Sequence, residues 1–269
     1  MKEKPRKISA TAVQNMRREG RKITALTAAD FITTRLLDEA GMDIILVGDS
    51  LGTTLLGYSK TVSVSMRDIL HHLKAVSRAK PLALVVADMP FGSYHESAAQ
   101  AVRNACRMVR EGGADAVKLE GGENLADVIR AIVRAGIPVM GHIGLMPQGI
   151  LKAGGYRVQG RSDAQVRQLR RDLNAVARAG AFACVLEYVK ADVAAKLSKK
   201  SPVPTIGIGS GAGCDGQILV TTDLLGLNAG LSPRAARRYV ELGEIMKRAF
   251  ERYARDVQTG NFPGPKESF

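Results

Sequence analysis

Ile44-Ile45-Leu46-Val47-Gly48-Asp49 and Leu82-Ala83-Leu84-Val85-Val86-Ala87-Asp88 decide the fold. Each is an unbroken apolar run, rich in β-branched residues, that ends on a carboxylate. A strand with one wet face alternates apolar and polar residues. A run apolar on both faces reads instead as a parallel strand covered on both sides. The same pattern recurs at 23–28, 116–119, 138–141, 183–186, 205–208 and 217–220. Between most of these runs lie segments of helical period, at 65–79, 97–112, 124–135, 164–179 and 191–199. Eight such strands alternating with helices predict an α/β chain folded as a (β/α)8 TIM barrel. The connection between the seventh and eighth runs is too short for a full helix.

The chain of 269 residues fits one such barrel, since (β/α)8 domains run to about 250 residues. The expected organisation is a single barrel domain over 1–269, with a basic N-terminal segment at 1–21. An extra C-terminal outer helix is expected at 232–258 and a tail at 259–269. No apolar run approaches the roughly 18 residues that a membrane span needs. Residues 1–21 lack the continuous apolar core of a secretory signal. Three scattered cysteines, Cys106, Cys184 and Cys214, suit a reducing compartment and a cytoplasmic location. The formal net charge of +13 invites a nucleic-acid reading, but there is no Trp and aromatics make up only 4%, leaving few stacking platforms. The basic residues are spread along helical segments rather than gathered in one patch, so nucleic acid is not the expected partner.

Polar residues fall at one end of the runs. Asp30 follows the first, Asp49 and Ser50 the second, and Asp88 the third. Lys118 and Glu120 close the fourth, His142 the fifth and Glu187 the sixth. In a barrel this end is the C-terminal rim, where barrel enzymes carry their active sites. Asp49 and Asp88 on neighbouring strands bring two like charges together, which calls for a cation or a shared proton. A hard Mg²⁺ held by one or two carboxylates suits them, with Glu120 joining directly or through water. The plainer alternative is that both cap the helices that follow. Lys118 and Glu120, two apart, share a strand face; the lysine could hold a substrate carboxylate, or the two could form a solvated ion pair. Glu187 is a candidate proton acceptor or the partner of a nearby cation. His142 is a structural hydrogen-bonding histidine or a participant in the site. Gly211, Gly213 and Gly216 formally match a dinucleotide fingerprint, but without the surrounding long βαβ unit. In a barrel such glycines more often let backbone approach a ligand.

Taken together, several blocks resemble the ketopantoate hydroxymethyltransferase family. They are Val47 to Gly52, Val86 to Tyr94, Val117 to Gly122, Gly141 to Gln148, Gly154 to Gly160, Ile206 to Gly211, and the ending from Phe262 to Phe269. They occur in the family's order and span the chain from about Lys22 onward. The chain departs from the family's pattern at Ala29, Lys60, Lys190 and Arg234-Ala235-Ala236.

The resemblance implies transfer of a hydroxymethyl group from 5,10-methylenetetrahydrofolate to 3-methyl-2-oxobutanoate through a Mg²⁺-stabilised enolate. The product would be 2-dehydropantoate (ketopantoate), in pantothenate and coenzyme A biosynthesis. It implies Asp49, Asp88 and Glu120 as metal residues. Asp49, Ser50, Asp88 and Lys118 would bind the keto acid, with His142 beside them, and Glu187 would be the proton acceptor. It also implies a homo-oligomeric ring, a decamer of two pentamers. Two other readings stay open on the residues alone. One is another Mg²⁺-dependent α-keto-acid barrel, such as a carbon–carbon lyase of the phosphoenolpyruvate mutase and isocitrate lyase type. The other is a basic barrel without catalysis that binds a partner.

Overall fold

The structure is a computed structural model that describes residues 6–155, 157–228 and 235–269. These fall into two compact units that divide after Leu219.

The first unit is a closed barrel of eight parallel strands in sequential order. It runs α1 (Ala10–Arg18), β1 (Ile23–Thr27), α2 (Phe31–Glu39), β2 (Ile44–Val47), α3 (Leu51–Thr54), α4 (Met66–Arg78), β3 (Leu84–Asp88) and α5 (Ala98–Arg110). It continues with β4 (Ala116–Glu120), α6 (Ala126–Arg134), β5 (Val139–Gly144), α7 (Ile150–Ala153), α8 (Asp163–Arg178), β6 (Ala183–Glu187), α9 (Ala191–Lys200), β7 (Thr205–Ile208) and β8 (Gly216–Leu219). Each of the eight expected runs forms a strand, and the short β7–β8 connection holds no helix. Several strands end later than their apolar runs: β3 includes Asp88, β4 includes Glu120, β5 reaches Gly144 and β6 includes Glu187. Their polar last residues are still hydrogen-bonded into the sheet.

Strand parity separates two cores. Ile44, Leu46, Leu84, Val86, Ala116, Met140, Ala183, Val185 and Ile206 fill the barrel interior. Their neighbours of opposite parity, such as Ile45, Val47, Val85, Ala87, Val117 and Cys184, pack in the layer with helical residues such as Ile69, Leu73, Ile129 and Val176. Val13 and Met16 of α1 join the interior cluster. The Arg17 guanidinium donates to the carbonyls of Ser198 and Ser201 at 3.0 and 2.6 Å, tying α1 to the C-terminal end of α9. The described part of the basic N-terminal segment is therefore a plug for the barrel.

In the second unit, α10 (Thr221–Leu224) and α11 (Leu242–Gln258) are the helices among the described residues. The expected C-terminal helix thus starts later than residue 232. Residues 232–234 lie outside the described set, and 235–241 form no helix. The amides of Tyr239 and Leu242 donate to the carbonyls of Leu224 and Leu225, each at 2.9 Å, so this stretch is pinned to the end of α10. Residues 259–269 follow α11 without helix or strand.

Helix α4 carries a two-way cap. The amide of Asp68 donates to Ser65 Oγ, and the amide of Ser65 donates to Asp68 Oδ2 at 2.9 Å. Ser65→Ala should lower unfolding free energy by about 1 kcal/mol, read from the urea midpoint at unchanged slope.

Candidate active site

Interior parity, carried to the C-terminal ends of the strands, changes chemistry. Asp88 continues the inward row of Leu84 and Val86, while Lys118 and Glu120 continue that of Ala116. His142 follows Met140, and Glu187 follows Val185. The register sets Asp88 beside Lys118 and Glu120 beside His142. Asp49 reaches the same place differently. It lies just past β2, and its backbone N–H donates to Asp88 Oδ2 at 3.0 Å. The turn passes close at Gly48, where a Cβ would stand 3.1 Å from Ser50 Oγ and 3.4 Å from Asp88 Oδ2.

The cluster is dry. Asp49, Asp88, Lys118, Glu120 and His142 are each at most 5% exposed. Lys118 Nζ lies 2.7 Å from Asp88 Oδ1 and 3.1 Å from His142 Nδ1. An ammonium can only donate, so Nδ1 accepts and the ring proton sits on Nε2, 3.2 Å from Glu187 Oε2. The imidazole is thus held as the neutral tautomer, bridging Lys118 to Glu187. Burial and then the Lys118 charge push its pKa down. Burial would lower that of Lys118 too, but Asp88, Glu120 and Asp49 outweigh it and keep the ammonium charged. Glu187 is the most open of these groups, its side chain 14% exposed. The Ser50 hydroxyl makes no capping bond and has no partner among the described residues.

All the residues singled out at the strand ends meet here except Asp30, which is exposed and caps α2 through the amide of Thr33 at 2.8 Å. Two of the glycines after β7 serve packing. A Cβ at Gly211 or Gly213 would collide with Ala191 or Ala195 of α9, so they let the β7–β8 loop lie against that helix. The buried Cys184 points into the outer core, and burial pushes its thiol pKa up, which removes it as a nucleophile.

Two participants were not among the expected site residues, Tyr94 and Gln148, although each ends a block that carries the family resemblance. The Gln148 side-chain amide donates to Asp49 Oδ2 at 2.9 Å and to the Met89 carbonyl at 3.0 Å. Its backbone N–H donates to Glu120 Oε2 at 3.0 Å. The Tyr94 hydroxyl donates to Gln148 Oε1 at 2.6 Å and accepts from the Glu120 amide at 3.2 Å.

Among the described residues, no three His, Cys, Asp or Glu side chains are grouped so that they could by themselves hold a metal ion. The charge balance nevertheless fits a divalent cation. Three buried carboxylates face one ammonium, and Asp49 Oδ1 accepts no hydrogen bond among the described residues. Mg²⁺ needs only one or two carboxylates when water and substrate oxygens complete its shell. Without a cation the surplus charge is met by protons. Burial, then Asp88, raises the Asp49 carboxyl to about 7, and burial raises Glu120 well above its ordinary value.

The chain matches the family model of ketopantoate hydroxymethyltransferase over residues 7–265. It is 52% identical over 263 residues to a 3-methyl-2-oxobutanoate hydroxymethyltransferase of Moorella thermoacetica, covering 98% of each chain. A protein of the same name from Ignicoccus hospitalis is 50% identical over 259 residues, covering 96% of this chain and 98% of that one. Among solved structures, phosphonopyruvate hydrolase in complex with oxalate and Mg²⁺ superposes with a TM-score of 0.62 at 16% identity, covering 97% and 93% of the two chains. A 2,3-dimethylmalate lyase of the phosphoenolpyruvate mutase and isocitrate lyase superfamily gives 0.62 at 17%, covering 97% and 89%. At that identity the superpositions describe a shared barrel fold.

The carboxyl of Asp49 binds its proton more tightly folded than unfolded. Its contribution to stability is complete below about pH 4 and is lost as pH rises through about 7. In chelator-treated protein, the stability of the parent relative to Asp49→Asn should fall by roughly 2 kcal/mol between pH 5 and 8. Urea titrations at several pH values measure it, and a constant gap would refute the protonated Asp49.

Proposed function

The chain belongs to the ketopantoate hydroxymethyltransferase family and is a transferase of that class; from this premise we propose that it moves a hydroxymethyl group from 5,10-methylenetetrahydrofolate to 3-methyl-2-oxobutanoate, giving ketopantoate for pantothenate and coenzyme A biosynthesis. The observation that carries the reading is the buried set Asp49, Asp88, Lys118 and Glu120, with Glu187 reaching it through His142.

A proton on C3, next to a ketone, is weakly acidic, so its removal needs a base at carbon and positive charge at oxygen. Asp49 and Asp88 would hold Mg²⁺, with Glu120 as the third acid of the metal site. Bound there, Mg²⁺ supplies Lewis-acid stabilisation of negative charge on the keto acid's oxygens. Lys118 adds a fixed positive charge against the same anionic end, and Ser50 offers a hydroxyl with no partner in the protein among the described residues. Glu187 takes the C3 proton at Oε1 or Oε2. His142 Nε2 faces Glu187 Oε2 at 3.2 Å and would steady the carboxylate; it borders the substrate through Glu187 and Lys118. The carbon nucleophile then bonds to the one-carbon unit of the folate while water supplies that carbon's hydroxyl oxygen; both of its carbon–nitrogen bonds break, and the C3 proton and those of water end on the new hydroxyl and on the two nitrogens of the departing tetrahydrofolate.

The same reading includes a homo-oligomer, with a decamer of two pentamers as its specific form. In support, no residue of α11 is buried, and Ile245, Met246, Phe250, Tyr253 and Val257 along it are exposed. An apolar row of that kind is what a subunit contact covers. A cytoplasmic location agrees with the free thiols of Cys106, Cys184 and Cys214. Among the described residues no helix is long and apolar enough to cross a membrane.

Proton NMR of 3-methyl-2-oxobutanoate in D₂O with protein and Mg²⁺ tests the reading. The C3 proton signal should disappear without folate, and ketopantoate should form once methylenetetrahydrofolate is added. Glu187→Gln should slow the exchange by about 10²–10⁴-fold while leaving the unfolding transition cooperative. Exchange at the parent rate in Glu187→Gln removes Glu187 as the base. Absence of exchange in folded, metal-loaded parent overturns the enolising site.

A further inference from the structure

We infer that Gln148 is a positioning residue for the cation-holding carboxylates, locked in its working orientation by Tyr94; the inference rests on the reading above that Asp49 and Glu120 serve a divalent cation. The assignment follows from counting protons. A backbone N–H can only donate, so the amide of Glu120 makes the Tyr94 oxygen an acceptor. The hydroxyl proton of Tyr94 is then directed at its short contact, Gln148 Oε1 at 2.6 Å. With Oε1 engaged, the other end of the amide is the NH₂ group. Its two hydrogens go to the Met89 carbonyl and to Asp49 Oδ2. The flipped amide would set an oxygen against a carbonyl and a carboxylate at 3.0 and 2.9 Å and leave two acceptors without donors. One orientation satisfies every polar atom in the chain of bonds.

This fixed amide selects which carboxylate oxygens remain free. Asp49 spends Oδ2 on the Gln148 side chain, which leaves Oδ1 for a ligand. Glu120 spends Oε2 on the Gln148 backbone, leaving Oε1, which lies 3.6 Å from His142 Nδ1. A single residue on the loop after β5 thereby orients acids delivered by two other strands. Pro147 opens the short 3-10 turn 147–149 on which Gln148 sits. Both side chains are buried, Tyr94 fully and Gln148 at 4% exposure, so neither is accounted for as a surface contact. Neighbours of this kind around metal-site carboxylates change metal affinity by about 10–100-fold when removed.

The test is Mg²⁺ titration calorimetry on chelator-treated protein, paired with steady-state kinetics. Gln148→Met keeps the volume and removes the donors. It should weaken Mg²⁺ binding by about 10–100-fold and lower turnover at ordinary Mg²⁺, with turnover recovering as Mg²⁺ is raised. A merely structural residue would not give turnover that excess cation restores. Tyr94→Phe removes only the hydroxyl and should weaken binding by less. The double variant should be no weaker than Gln148→Met, because Tyr94 acts through Gln148. Unchanged Mg²⁺ affinity in Gln148→Met overturns the inference while leaving the proposed reaction standing. Additive losses in the double variant overturn the coupling to Tyr94. If Gln148→Met does not fold, Tyr94→Phe decides alone: weaker Mg²⁺ binding supports the inference and unchanged binding refutes it. A parent that binds no Mg²⁺ overturns the reading on which the inference rests, a result distinguishable from either.

Discussion

Three carboxylates and one ammonium share a space at the barrel mouth from which water is nearly excluded. Transferring an ion out of water costs several kcal/mol even after relaxation, and unpaired like charges add to that cost. Such a cluster persists only where the surrounding structure holds it. Closed hydrogen-bonding of eight strands does this, because each charged residue near the end of β3, β4 and β6 is a rung of the ladder and cannot turn outward without breaking it. The glycines at the rim obey the same demand. Gly144 has φ +98°, and a Cβ there would run into the Glu187 carbonyl, so β5 can approach the end of β6 only without a side chain at that position.

Much of this was legible in the sequence because the strands obey a period of two. Once Leu84 and Val86 are inward, Asp88 must be, and the same reasoning carries Ala116 to Lys118 and Glu120. Asp49 was found for a different reason, its position just past an apolar run, since it lies beyond the last paired residue of β2. Tyr94 and Gln148 entered only as the last residues of two blocks in the family resemblance, with no role of their own. Their contact spans 54 residues between two rim loops, where no periodicity links one position to another. The late start of α11 was equally hidden. Two backbone amides pair with the end of α10, and the residues around them show nothing that separates them from a helical turn.

The arrangement divides the mouth into a rigid side and a more open one. Asp49 and Glu120 are held by Gln148 and Tyr94 in a network where every named donor has an acceptor. Glu187, across the barrel on β6, has one neutral imidazole facing it at 3.2 Å and some exposure. On the proposed reading this asymmetry matches the two tasks. Groups that hold a cation lose affinity if they wander, whereas a base must take a proton from one molecule and give it up to another. His142 keeps the two sides apart. Were Glu187 to reach Lys118 directly, the ion pair would tie up the base and the substrate's charge partner together. A neutral imidazole between them leaves Lys118 its charge and Glu187 a lone pair for carbon. On the proposed reading the depressed pKa of His142 serves the base, because a protonated imidazole would attract the Glu187 carboxylate and weaken it as a proton acceptor.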